Sequence, residues 1–176
     1  MMSAKDVANF FIATTKAPQK MSNMKVNKLL YYAQAWSLVR LGRPLFNEPI
    51  EAWKHGPVIP TIYHRYEQCK ENPVPIPSDT SFLNTISAEE AQLLMDVARE
   101  YDGLSAWQLR NQSHGSNEPW MKVYDPDKFH TVITKEDMEE CFKRMAPLPE
   151  IGFSESFSAI PITDELTSPV EDDDSK

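Results

Sequence analysis

The residues best suited to chemistry crowd into one stretch, EAWKHGPVIPTIYHRY, which runs from Glu51 to Tyr66. Glu51 and His55 flank Trp53, and a carboxylate and an imidazole at that spacing could share a proton in general acid–base work. His55 also precedes Gly56-Pro57, so a hydrogen-bonded histidine at a turn explains the same residues, and it is the stronger reading. The chain has four histidines, His55, His64, His114 and His130. No two stand at the i, i+4 spacing of a zinc-binding helix, and no Cys-x-x-Cys is present. The nucleophile elbow GxSxG and the phosphate loops GxxxxGK[ST] and GxGxxG are absent, and five glycines leave little for a phosphate cradle. We therefore expect no catalytic residue, no metal and no cofactor.

These residues must be positioned by elements that the sequence announces. Ser3 can cap a first helix bearing Val7, Phe10 and Phe11 on one face, with Asp6 in its first turn and Pro18 beyond its end. A second helix is expected from about Ser22 to Leu41, with Gly42 as its stop. Val26, Leu29, Leu30, Ala33 and Trp36 follow the helical period, and Tyr32, Ala35 and Val39 widen the face. A helix apolar on most sides is a central one, packed by neighbours all round. Lys20, Lys25 and Lys28, near its start, read as ordinary surface.

Leu45 to Trp53 reads as a short strand or hairpin edge, followed by a turn at His55-Gly56-Pro57. Pro60 suits the first position of a third helix reaching about Lys70, with Ile62, Tyr63 and Tyr66 facing inward. Asn72–Pro77 is a proline-rich connector. Capping boxes at Ser87–Glu90 and Ser105–Gln108 open a fourth and a fifth helix. Pro119-Trp120 opens a further helical turn, and Val132-Ile133 could form a minor strand. Thr134 caps a last helix that buries Met138, Cys141, Phe142 and Met145, and Pro147 and Pro149 close the domain. The expected fold is α+β and mainly helical: a single compact domain, residues 1–149, with a short β-hairpin or small sheet.

Composition bounds the rest. Apolar residues make up 41% of the 176, enough for a real core, and the longest apolar runs are far too short to span a membrane. The N-terminus lacks a secretory pattern. Cys69 and Cys141, far apart, read as buried thiols in a reducing cytoplasm. The net charge of −8 is unevenly held: residues 150–176 carry eight acids and one base, and residues 1–149 carry eighteen acids and seventeen bases. A nearly neutral domain without a basic excess argues against nucleic acid as a partner. The acidic segment, rich in Ser, Thr and Pro, is expected to be a disordered tail. It could serve solubility, or Phe153, Phe157, Ile160 and Ile162 could anchor it on a partner.

Two blocks of residues carry a family resemblance. The first runs Val26-Asn27-Lys28-Leu29-Leu30-Tyr31-Tyr32-Ala33-Gln34-Ala35-Trp36, then Pro44-Leu45-Phe46, then Ile50-Glu51-Ala52-Trp53-Lys54-His55-Gly56-Pro57-Val58-Ile59-Pro60, with Tyr63 after it. The second holds Leu104-Ser105, Leu109, Ser113-His114 and Pro119-Trp120. Together, over about residues 5–145, the chain resembles the Panacea domain family, the GepA-like phage-associated antitoxins. The resemblance implies a non-enzymatic cytoplasmic antitoxin, phage- or prophage-borne, that neutralises a cognate protein toxin by direct contact. It also leaves open a proteolytic adaptor that hands its client to an ATP-dependent protease.

Within the resemblance, Lys28, Leu29, Leu30, Tyr31, Ala52, Gly56 and Pro57 are expected to be structural. Trp53, His55, Tyr63, His114 and Trp120 are the candidate toxin-binding residues, expected to meet beside the Gly56-Pro57 turn as a partly exposed aromatic surface; burial in the core is the competing expectation.

Overall fold

The computed structural model describes residues 1–149; the acidic segment beginning at Glu150 lies outside the described residues. Seven α-helices and one small sheet make up its elements: α1 Ala4–Thr14, α2 Asn23–Arg40, β1 Glu51–Trp53, β2 Gly56–Val58, α3 Pro60–Tyr66, α4 Ala88–Tyr101, α5 Ala106–Gln112, α6 Pro119–Val123 and α7 Lys135–Lys143. Short 3-10 turns at Pro18–Lys20, Glu67–Cys69 and Ser81–Thr85 connect them.

Helix starts follow their caps. Ser3, Ser87 and Ser105 each accept from the backbone N–H three residues on, and Asp6, Glu90 and Gln108 return the bond to the cap's own N–H. Each box satisfies two donors that a helix N-terminus leaves free. Ser22 and Thr134 cap α2 and α7 by the side chain alone. Gly42, at φ 65°, takes the left-handed position that stops α2.

Helix α2 is the axis of the molecule. It packs against α1, α3, α4, α5, α7 and β2, and from Lys25 to Leu38 every residue is buried. Such a helix cannot turn its polar residues to water, so each is spent on a neighbour's backbone or side chain. Asn27 Oδ1 accepts from the Ile59 N–H at 2.8 Å, and Asn23 Nδ2 donates to the Tyr63 carbonyl at 2.9 Å. Gln34 holds Phe46 from both sides, accepting from its N–H and donating to its carbonyl. Tyr32 donates to the Leu109 carbonyl, and Trp36 to the Tyr101 hydroxyl. The core closes on α7, where Phe142 meets Tyr31, Tyr32 and Trp36.

Several expectations need correction. Lys25 and Lys28 are not surface residues: each is 1% exposed, and only Lys20 faces water. A helix packed on every side leaves no exposed face for them. The strand is shorter than Leu45–Trp53, since Leu45 and Phe46 are buried in loop backbone that Gln34 holds. The turn is Lys54-His55, while Gly56 and Pro57 lie in β2, with Ala52 opposite Pro57. Helix α3 stops at Tyr66, and its Tyr63 points outward, 37% exposed. Cys69 is half-buried rather than buried. Val132 makes only an isolated bridge to Glu51, although the Ile133 N–H donates to the Ile50 carbonyl at 2.8 Å.

Candidate functional site

The β1–β2 hairpin and the α5–α6 connection meet over the N-terminal half of α2. Lys28 rises from α2 and donates from Nζ to the Pro57 carbonyl at 2.9 Å. Gly56, at φ 98°, lies directly above it. A Cβ on Gly56 would come within 2.6 Å of Lys28 Nζ and 2.9 Å of both His114 Cε1 and Ser113 Oγ. Glycine is required here twice over, for the left-handed backbone and for the close approach of three side chains.

The histidine beneath the hairpin is fixed from α5. His114 Nδ1 lies 2.6 Å from the Arg110 carbonyl, so that nitrogen carries the proton. Burial lowers the imidazole below its ordinary range, and the Arg110 and Lys28 charges push the same way against the carbonyls of Arg110 and Lys54. Burial also brings the Lys28 ammonium down to about 7, with Arg110 adding to the effect.

The aromatic residues form two groups on either side of the hairpin tip. On one side Trp53 meets Tyr63 edge-on at 4.8 Å, with His64 beside both. On the other, His55 meets the indole of Trp107 at 6.0 Å, and the Arg110 guanidinium lies 5.8 Å over that indole. Trp120 ties the two motif blocks together: its Nε1 donates to the Trp53 carbonyl at 2.8 Å, while its ring lies 3.8 Å from His114. Of the five candidate residues, His55 and Tyr63 are exposed, Trp53 and His114 half-buried, and Trp120 buried. Tyr63 stands with Trp53, and His114 with Trp120.

Glu51 and His55 do not form a pair. Glu51 Oε2 accepts from Trp53 Nε1 at 2.8 Å and lies 2.8 Å from His130 Nδ1. Glu51 and Trp53, two apart on one strand, share a face, whereas His55 sits in the turn beyond it. Glu118 is a second buried acid that the sequence did not flag. It accepts from the Tyr31 hydroxyl at 3.0 Å, and burial lifts its carboxyl to about 7 although that bond opposes the shift. Among the described residues no group of three His, Cys, Asp or Glu side chains is placed to hold a metal ion, and no helix is long and apolar enough to cross a membrane.

The residues alone did not point to Trp107 and Arg110 at this corner, and Ser113 entered only as part of the second motif block. Trp107 and Arg110 share a helix of seven residues, too short for a period to assign a face. The burial of Lys28 was available in principle, since it sits between Asn27 and Leu29 on a helix with no polar side.

A central helix studded with side chains that hold the surrounding loops, with a hairpin locked over it, is the structural content of the two motif blocks. Residues 26–121 match the family described as antitoxin SocA-like, Panacea domain, and the chain belongs to that family. It is similar to the antitoxin SocA of Caulobacter vibrioides (strain NA1000 / CB15N), with 44% identity over 63 residues. That match covers 35% of this chain and 34% of the relative, about a third of each. No solved structure matches the chain.

Proposed function

We propose that this chain is a non-enzymatic cytoplasmic antitoxin that neutralises a protein toxin by binding it directly. Residues 1–149 act as the binding unit, and the hairpin corner is the contact face. The observation that carries this reading is the combination of family membership with aromatic side chains left in solvent beside the motif's own hairpin: Tyr63 on one side and Trp107 on the other. Tyrosine and tryptophan are the residue types that concentrate energy at interfaces, where truncating one often costs about 2 kcal/mol or more. Trp53, His55 and Tyr63 offer contact atoms, whereas His114 and Trp120 act from beneath by holding the hairpin in place.

The test is co-purification of the full chain with the product of the toxic open reading frame beside its gene, combined with rescue of growth. Tyr63→Ala and His55→Ala are expected to leave the thermal midpoint within a few degrees while rescue fails. A toxin that stays active beside a stable, abundant chain, with no complex recovered, overturns the reading. Rescue that disappears when the host's ATP-dependent proteases are removed would instead identify a proteolytic adaptor.

A further inference from the structure

The exposed edge of the hairpin corner is one-sided in charge. Arg110 lies over Trp107, and His55 meets Trp107 from the turn. Lys54 is exposed next to His55, and Lys28 lies buried below Gly56. The charged groups acting on His55 are Arg110, Lys54 and Lys28, all cations. None of the three pairs with a carboxylate among the described residues, although nearby acids are engaged: Glu51 by Trp53 and His130, Glu67 by His64, and Glu118 by Tyr31. Arg110 donates only to the neighbouring Asn111 side chain, at 3.2 Å, and its buried Nε has no partner among the described residues. Elsewhere around the same helix cations meet acids: buried Lys25 meets Asp102, and the partly exposed Arg40 and Arg43 meet Asp96 and Glu90. At the hairpin corner the acid is missing.

We propose that the Lys54–His55 turn, Arg110 and Trp107 form a seat for an acidic segment of a protein partner, whose carboxylates supply the counter-charge this corner lacks. The proposal rests on the reading of the chain as a toxin-binding protein and specifies the chemistry of what it binds. Arg110 offers a guanidinium fork to a carboxylate, Lys54 a second charge, and the 57% exposed Trp107 an apolar wall against which the segment's aliphatic stems can lie. Lys28 and His114 make no contact with the segment; from below they fix the hairpin, Lys28 through the Pro57 carbonyl and His114 through its packing on Trp120. Nucleic acid fits less well, because residues 1–149 carry eighteen acids against seventeen bases and offer no extended basic track for a phosphate backbone.

The experiment needs no toxin, so its failure and the failure of the toxin-binding reading are separate events. The labelled full chain is titrated with an N-acetylated hexaglutamate peptide at low salt, about 20 mM, and the Trp107 indole N–H and His55 ring signals are followed by NMR. Saturable shifts are expected at both residues, with binding weakened by roughly fivefold or more in Arg110→Gln and in Lys54→Gln. Lys54 is exposed, so its variant reports even if Arg110→Gln proves unstable. A hexaglutamine control should leave the signals unmoved, and raising salt to about 300 mM should weaken the glutamate effect. Absence of saturable shifts, equal response to hexaglutamine, or undiminished binding by both variants overturns the proposal. So does a single-stranded oligonucleotide that shifts the same signals at lower concentration. Binding that emerges only after Glu171, Asp172, Asp173 and Asp174 are changed to amides overturns it in favour of the chain's own acidic segment as occupant.

Discussion

Lys25 and Lys28 stand three residues apart on α2, and both are buried. Lys25 Nζ lies 2.9 Å from Asp102 Oδ1 and donates to the Asp102 carbonyl at 2.5 Å. Lys28 Nζ reaches one carbonyl, that of Pro57, and the charged group acting on it is another cation, Arg110. One turn of a single helix thus carries a neutralised lysine and an uncompensated one. The contrast teaches that burial does not fix what a buried lysine does. Its partner decides: Lys25 ties α2 to the end of α4, and Lys28 holds up a hairpin at an electrostatic cost.

The largest way to break this comparison is to remove the acid. Asp102→Ala leaves the Lys25 ammonium buried without its carboxylate, and removing one member of a buried pair costs about 3–5 kcal/mol. Urea unfolding should show the loss as a lower midpoint with an unchanged slope. Gly56→Ala comes next, at about 2 kcal/mol or more, because a Cβ there meets Lys28 Nζ and the residue must keep φ 98°. Its Tm should fall, and the double variant with Lys28→Met should recover part of the loss.

Lys28→Met alone should move stability by less than about 1 kcal/mol near neutral pH, since the lost hydrogen bond offsets the relief of a buried charge. A cost as large as that of Asp102→Ala would erase the distinction between the two lysines.

Changing pH separates the two buried titrating groups at the core. The folded chain releases the Lys28 proton at about 7, whereas an unfolded lysine keeps it to about 10.5. In that window the unfolded state binds the extra proton, so Lys28 makes stability rise with pH. Glu118 acts in the opposite sense: the fold holds its proton to about 7 and the unfolded chain loses it near 4.5, so its contribution is complete below 4.5 and is lost as pH rises through 7. Denaturation across pH should show Glu118→Gln flattening the acid side and Lys28→Met the alkaline side.

The elements were legible where the signal is local. Ser3, Ser87 and Ser105 with their partners three residues on announce helix starts, and the apolar residues on every side of α2 announce a central helix. The pairing of Lys25 was not legible, because its partner Asp102 lies 77 positions away and only the folded chain brings them together. Gly56-Pro57 reads as a turn because glycine and proline usually break strands, yet here they form one; with three residues per strand no alternation can correct the reading. Tyr63 falls on the period of its helix's inner face but stands at the edge of a helix of seven residues, where the neighbouring Trp53 side chain takes its contact. Of the site, the two motif blocks and their aromatics could be read from the sequence, whereas the pairing of Glu51 with His130 and the unpaired charge at Arg110 could not.

The tether between Arg40 and the Leu148 carbonyl spans 108 positions, and Trp36 waits for Phe142 across nearly the same distance. The central helix is therefore made early and covered late. At ribosomal speeds of about 5–20 residues per second, α2 spends roughly 5–20 s outside the exit tunnel before the last helix arrives to enclose it. Nascent chains stalled short of Leu148 are expected to be cut within α2 by added protease, and released chains to resist; equal resistance would show that the helix is sheltered without α7. The yield of folded chain is then expected to depend partly on translation, through a race between the arrival of α7 and the chaperones and proteases that recognise bare apolar helix.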